Sequence, residues 1–583
     1  MEFQGGGIRT ISYDGVEIVR GIYAAVRDPN WGTVEPAISD IAMKEFDDMV
    51  RLSFLCEHKQ GDIQFAWQGN IQLSPHGLQF EFDGTAKSTF LKNRIGFCVL
   101  HPMELAGLPL EVETTNQTLQ GRFPLAISPH QPYKNIEKLT YAPKPYLQVD
   151  MRFEGDLFEM EDQRNWTDAS FKTYCTPLEW PFPVEMKAGD SIYQSITVQV
   201  NHLKQTDHIT GERRKDESGI VPLVVTSRVI RNMPDLGVMI DAPAMLTGDG
   251  RSVAATEKTR LSLTPSYLRA LISLSRNDWY DQLAYVQKRV SGLNAECGIE
   301  IELLYDEPSQ LEAFAAYIGS EAMKVRRIIP FCNGAMISAE SSLLELKAAL
   351  SSRQYPSLNR IAIGGGTRAY YAEHNRAEMP LQWMDFTVYS INPQVHAFDD
   401  RSLMETLHAQ PVTVKDAIKK CGKDLYLGPV TLLPRINPNA TDGGSELAIH
   451  QQMDERQHTS FGAAWTIGSI ASLCQEDLSL LKGICYYNLS GEIGLEDHPD
   501  TDLFKAMQTL MLYPNAEVVE VKGVSQRVAA LGIKPNETTT LVFAANLTNE
   551  RVNMEIRTAN NDRNPVATTL EPYQFLTFYF QPS

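Results

Sequence analysis

Residues 299–331 read IEIELLYDEPSQLEAFAAYIGSEAMKVRRIIPF. The stretch opens on a mostly apolar run, IEIELLY (299–305), and closes on another, VRRIIPF (325–331). Between them PSQLEAFAAYIGSEA spaces its apolar residues as a helix does. Two continuous buried runs joined by a helix predict parallel strands linked by a crossover. Working outward, the same unit recurs. Upstream stand LGVMID (236–241), YLRALISL (267–274) and a helix in DWYDQLAYVQKRVSGLNAECG, where Trp279, Leu283, Val286, Val290, Leu293 and Cys297 fall on one face. Downstream come the Leu-rich helix SSLLELKAAL, then RIAIGGG (360–366) and DFTVYSIN (385–392). A helix near 400–420 precedes DLYLGPVTL (424–432), and a long helix near 459–481 precedes GICYYNL (483–489). Eight such strands alternating with helices in about 250 residues predict a (β/α)8 TIM-type barrel. Its weakest links are the first strand and the long insertion that follows it.

Either side of this span the period drops to two. In DIQFAWQG, Ile63, Phe65 and Trp67 alternate with polar residues; in GLQFEFDG, Leu78, Phe80 and Phe82 do the same, and Ile196, Val198 and Val200 repeat it. Short alternating runs closed by Gly, Pro and Asn predict a β-sandwich-like domain with one buried face per sheet. After residue 516, TTLVFAANL, VNMEIR and FLTFYF predict a small C-terminal β domain. The expected organisation is an N-terminal all-β domain over 1–232, the barrel over 233–515 and the C-terminal β domain over 516–583.

At 583 residues the chain is too long for one core, and 43% hydrophobic with 21% charged residues is ordinary globular composition. A net charge of −19 without a Lys/Arg-rich run argues against nucleic acid as a partner. No apolar stretch is long enough to span a bilayer, and the start, MEFQGGGIRTISYDG, has no signal-peptide pattern, so a soluble cytoplasmic protein is expected. The eight cysteines are scattered without a CxxC pair, which suits reduced thiols. No HExxH, His-x-x-His or Asp-rich loop is present, so neither metal nor cofactor is expected.

In a barrel, reacting groups stand at the C-terminal ends of the strands. Those ends offer Asp241, Asn333, Arg368, Glu373, Asn392, His396, Arg435, Tyr487 and Glu492. A barrel with β flanks is also the architecture of many retaining glycosidases, whose chemistry needs one carboxyl to protonate the leaving oxygen and another to attack. Here the usual tips read Cys332-Asn333-Gly334 and Leu433-Pro434-Arg435, with no acid at either, although Glu373 and Glu492 could substitute from elsewhere. Ester or lactone hydrolysis needs a base for water, donors for the oxyanion and an acid for the alkoxide. His396 can serve as the base; the alternative is a histidine capping a loop. Glu373 is either catalytic or on a solvated helix face. The GGG at 364–366 lacks the Lys-Ser/Thr of a P-loop, and close backbone packing explains it better.

One polar string stands out in the N-terminal region, FEMEDQRNWTDASFKTY (158–174). It crowds Glu159, Glu161, Asp162, Arg164, Asn165, Asp168 and Lys172 around Trp166, poor strand material unless these groups satisfy one another or line a sugar-sized pocket. Glu161, Asp162 and Arg164 therefore join His396, Glu373 and Glu492 as candidate catalytic residues. Arg94, His101, His130, Asn165 and Lys172 join Asn392, Arg435 and Tyr487 as candidate substrate-binding residues. The other reading of the string is a polar brace.

NRIGFCVLHP (93–102), ISPHQP, FEMEDQRNWTDASFKTY and PFPVE resemble the D-apionate lactonase family of bacterial apiose catabolism. The resemblance continues through YLRALISL, AYYAEHNR, YSINPQVHAFDD, GAAWTIGSIAS and YYNLSGE, so it spans essentially the whole chain. It implies an N-terminal β domain, a TIM-barrel middle and a C-terminal β domain. The implied activity is hydrolysis of D-apionolactone to D-apionate, with a small sugar lactone as partner; a homo-oligomer stays open. A glycosidase-like enzyme, an epimerase on a related sugar, and a non-catalytic carbohydrate-binding protein are the competing readings.

Overall fold

The computed structural model describes residues 1–203, 219–241, 263–293, 295–438, 447–559 and 561–581. The insertion between the first two barrel strands lies outside the described residues. The chain divides into two compact units, one of residues 1–164 and 169–213, the other of residues 165–168 and 214–583.

The first unit is antiparallel β, a 15-stranded sheet with a two-stranded companion. Alternation builds it, as expected: in Gly77–Ala86 the residues Leu78, Phe80 and Phe82 are buried while the intervening side chains are not. Strands far apart in the sheet order share one core. Phe3 of the first strand packs its ring 4.9 Å from that of Phe54, near the opposite end of the order. The sheet therefore folds back on itself as a sandwich does, around Phe54, Trp67, Phe80, Phe82 and Phe97.

The second unit holds the barrel. Its strands are Asp235–Ile240, Tyr267–Ser273, Gly298–Tyr305, Val325–Cys332, Ala362–Gly366, Phe386–Val388, Asp424–Val430 and Leu481–Asn488. They are parallel, paired in sequence order, and closed by the pairing of the first with the last. All eight lie where the apolar runs predict them. The long helix is shorter than expected, Ser460–Cys474, and is buried on nearly every side. Barrel tyrosines face it on one side, Tyr486 Oη 2.7 Å from Ser469 Oγ, and the C-terminal sheet packs on the other. That double burial explains its uniform apolarity.

The terminal strands form a seven-stranded sheet that clusters with the barrel as part of one unit. Strand Ile220–Asn232, expected within the N-terminal domain, belongs to this sheet instead. It pairs antiparallel with Glu517–Lys522 and parallel with Val552–Thr558. Alternation marks a strand but does not name its partner, so the segment's position in sequence misplaced it.

Candidate active site

Because every barrel strand runs the same way, all the strand tips meet at one face. Beneath that face the lumen is ionic. In the third strand Glu300 and Glu302 alternate with the buried Ile299, Ile301 and Leu303. Glu300 is held between Arg269 and Arg327, the latter at 2.6 Å. One layer higher, Glu302 takes Arg368 Nε at 2.6 Å. Burial pushes the Glu302 carboxyl up, but Arg368 and Arg435 outweigh it and hold the group ionised, below its ordinary range.

At the tip of the sixth strand His396 meets a carboxylate that is remote in sequence. Its Nδ1 lies 2.7 Å from Asp168 Oδ2, with the two side chains 19% and 14% exposed. A carboxylate on Nδ1 makes that nitrogen the donor and leaves the Nε2 lone pair facing away. Trp166 sets its ring against the imidazole, edge to face, with centroids 5.2 Å apart. Arg376 lies 5.2 Å over the same indole, and Asn375 donates to Asn165 Oδ1 at 3.0 Å. Residues 165–168 are thus seated on the helix Tyr371–Arg376 after the fifth strand and on the loop after the sixth. That loop is braced in turn. Asn392 Oδ1 accepts from the Gln394 amide, while Gln394 Nε2 donates to Leu432 O and to Asp454 at 2.6 Å. Asn392 Nδ2 is buried without a partner.

Asp454 leads into a cavity of about 590 Å³ formed by the loops after the seventh and eighth strands, where Glu455, His458, Glu492, Asp497 and His498 also line the wall. Glu492 is exposed here and does not join the Asp168–His396 pair among the described contacts. Glu373 caps its own helix, accepting the Tyr370 amide at 3.1 Å, and burial pushes its carboxyl up. It is neither a solvated helix residue nor part of that pair. Tyr487 is fully buried, with its hydroxyl 2.8 Å from Thr466 Oγ1.

The rest of the polar string is consumed inside the first unit. Arg164 is 2% exposed and grips Asp162 with two bonds, at 2.8 and 2.7 Å. Its Nη2 also donates to Pro124 O, and Nη1 donates to Leu125 O. Arg164, expected as a candidate catalytic residue, is placed here as a brace, since a buried guanidinium must spend its donors on protein acceptors. Glu161 and Lys172 oppose each other on neighbouring strands, 2.7 Å apart. Arg94 donates to the carbonyls of Asn93, Thr176, Pro177, Leu178 and Trp180. His101 is fully buried on Thr173 Oγ1, and burial lowers its pKa to about 3, so it stays neutral. His130 is exposed in a turn closed by Ser128 Oγ on the His130 carbonyl.

Two family models match this chain, the D-apionate lactonase N-terminal domain over residues 1–203 and the D-apionate lactonase TIM barrel domain over 244–526. The chain belongs to the D-apionate lactonase family. A family member from Brucella anthropi, named D-apionate lactonase, is 28% identical over 515 residues, covering 85% of this chain and 82% of that protein. Among solved structures, SrfJ of Salmonella typhimurium aligns at TM-score 0.40 and 11% identity over 66% of this chain and 96% of that one. A GH30 endoxylanase of Clostridium papyrosolvens aligns at 0.36 and 10% over 62% and 97%.

Within this lactonase-family chain, the residues that sequence reasoning passed over are those whose partners come from afar. Asp168 and Trp166 were visible only as members of a crowded string, with nothing to mark them off from Asp162 and Arg164. Glu300 and Glu302 did carry a signal: two carboxylates at alternating positions of an otherwise apolar strand must face a lumen that neutralises them.

Proposed function

We propose that this enzyme opens D-apionolactone to D-apionate, with His396 as the base that activates water. The observation that carries the reading is the Asp168–His396 pair at the strand-tip face of the barrel. Asp168 orients the imidazole and stabilises the imidazolium. His396 Nε2 takes a proton as water oxygen bonds to the lactone carbonyl carbon, giving a tetrahedral oxyanion. Asn392 Nδ2, a buried donor lacking an acceptor, suits the oxyanion. Collapse breaks the ring C–O bond, and the imidazolium returns its proton to the departing alkoxide, so the base is regenerated. The acid so formed releases its proton to solvent, and Arg435 at the next strand tip matches the resulting carboxylate.

The test is hydrolysis of D-apionolactone by His396→Ala and Asp168→Asn. Each should lower kcat/KM by about 10²–10⁴-fold, the usual contribution of general acid–base catalysis, with an unchanged melting temperature. Wild-type turnover by His396→Ala would overturn the assignment. Aryl glycosides should not be cleaved, because neither glycosidase tip carries an acid.

A further inference from the structure

The first unit contains a cavity of about 600 Å³ that the lactonase reading leaves unused. Lys92, Asn93, Asp156, Trp180 and Tyr193 line it. Lys92 is half-buried, and its ammonium interacts with the Asp156 charge at longer range, with no hydrogen bond or ion pair to it among the described residues. Asn93 is fully buried; its Nδ2 donates to Pro29 O, but its Oδ1 has no partner. Asp156 accepts from Thr176 Oγ1 at 2.6 Å and from the Leu157 amide at 2.7 Å, which leaves acceptor capacity on both oxygens. Two aromatic rings stand at the rim in the open, Trp180 at 49% and Tyr193 at 50% exposure.

This rim is built. Arg94 donates to Trp180 O at 3.0 Å and to the three preceding carbonyls that it reaches, and its guanidinium lies 5.2 Å over Phe182 and 5.7 Å over Trp31. A fully engaged arginine therefore holds the segment that carries an exposed indole. Rigid aromatic area costs little ordering entropy when a ligand settles on it.

We propose that this cavity binds a neutral sugar ring, at a site separate from the barrel. A sugar hydroxyl both donates and accepts, and here the Lys92 ammonium shares the cavity with two acceptors, Asp156 and the orphan Asn93 Oδ1. The ring's apolar face has Trp180 to lie against. A carboxylate ligand would gain Lys92 but face Asp156 and Glu185, so a neutral sugar fits better than a sugar acid. A cavity of this volume accommodates a mono- or disaccharide. The inference does not rest on the lactonase assignment.

The experiment is saturation-transfer NMR and calorimetric titration of the full chain with D-xylose, D-glucose and D-gluconate. A neutral sugar should bind saturably and more tightly than gluconate. Trp180→Ala and Lys92→Met should each weaken it about tenfold or more, while His396→Ala leaves binding unchanged. Circular dichroism verifies that each variant is folded. Three results would overturn the proposal: no saturable binding of either neutral sugar, equal affinity in folded Trp180→Ala and Lys92→Met, or binding lost in His396→Ala instead. Gluconate binding more tightly than glucose would overturn the neutral class.

Discussion

Asp168 and His396 are 228 positions apart, and each acquires its meaning only from the other. The same string that supplies Asp168 supplies Arg164, whose chemistry looks more suggestive in sequence and whose place is interior. Arg164 and Asp162 are a buried pair, with side chains 2% and 0% exposed. Removing one partner strands the other charge in a dry site. Arg164→Ala should therefore cost about 3–5 kcal/mol of folding stability, measured by urea denaturation. The fraction that remains folded should hydrolyse lactone at the parental kcat, and a large loss of kcat at unchanged stability would return Arg164 to the active site. Adjacent residues of one polar motif thus divide between an interior ion pair and a contact at the barrel's strand tips.

Among the elements, the fifth barrel strand shows how a motif with a chemical look serves packing. Its three glycines lie against the sixth strand. A Cβ on Gly364 would stand 2.3 Å from the Phe386 ring, and one on Gly366 would stand 2.1 Å from Val388 O. Gly366 also has φ +150, a conformation that side chains resist. The Val388 carbonyl cannot yield, because it accepts the Thr367 amide at 3.1 Å. Gly366→Ala should destabilise the protein by about 1–3 kcal/mol, seen as a lower denaturant midpoint. An unchanged midpoint would mean that the strand pair can open without penalty. The reading of close packing rather than a phosphate cradle was legible, because the motif lacked the residues a cradle needs. That the packing partner is the adjacent sixth strand required the barrel.

At the scale of the whole molecule, each unit buries a histidine that must stay neutral. Burial lowers His101 in the first unit and His374 in the second from 6.5 to about 3, and each has an Nδ1 with no partner to receive a proton. The unfolded chain protonates these rings below pH 6.5 while the folded chain does not. Stability is therefore complete above pH 6.5 and falls as pH drops toward 3, by about 1.4 kcal/mol per pH unit for each histidine. Urea midpoints at pH 7.5 and 5.0 should show the decline, followed separately for the two units if they unfold in two steps. His101→Gln should lessen the slope in the first unit, where the buried His58 contributes the rest, and an unchanged slope would remove His101 as a source.

The eight barrel strands, the two regimes of period and the missing glycosidase acids were all determined by local sequence. Each is a property of a short window: continuous apolar runs, alternation, or the residue at a strand's end. Family membership was equally legible, since long ordered strings carry it. Pairings were not. The sheet that Ile220–Asn232 joins, the carboxylate that orients His396, and the arginines that neutralise Glu300 and Glu302 were decided by tertiary structure alone. A strand's alternation says which face is buried but not against what, and a charged side chain near a tip is the same string of atoms whether it faces substrate or an ion-pair partner. Only the closed fold brings the second group to the first, and burial then sets whether a polar residue is spent on the protein or left for a ligand.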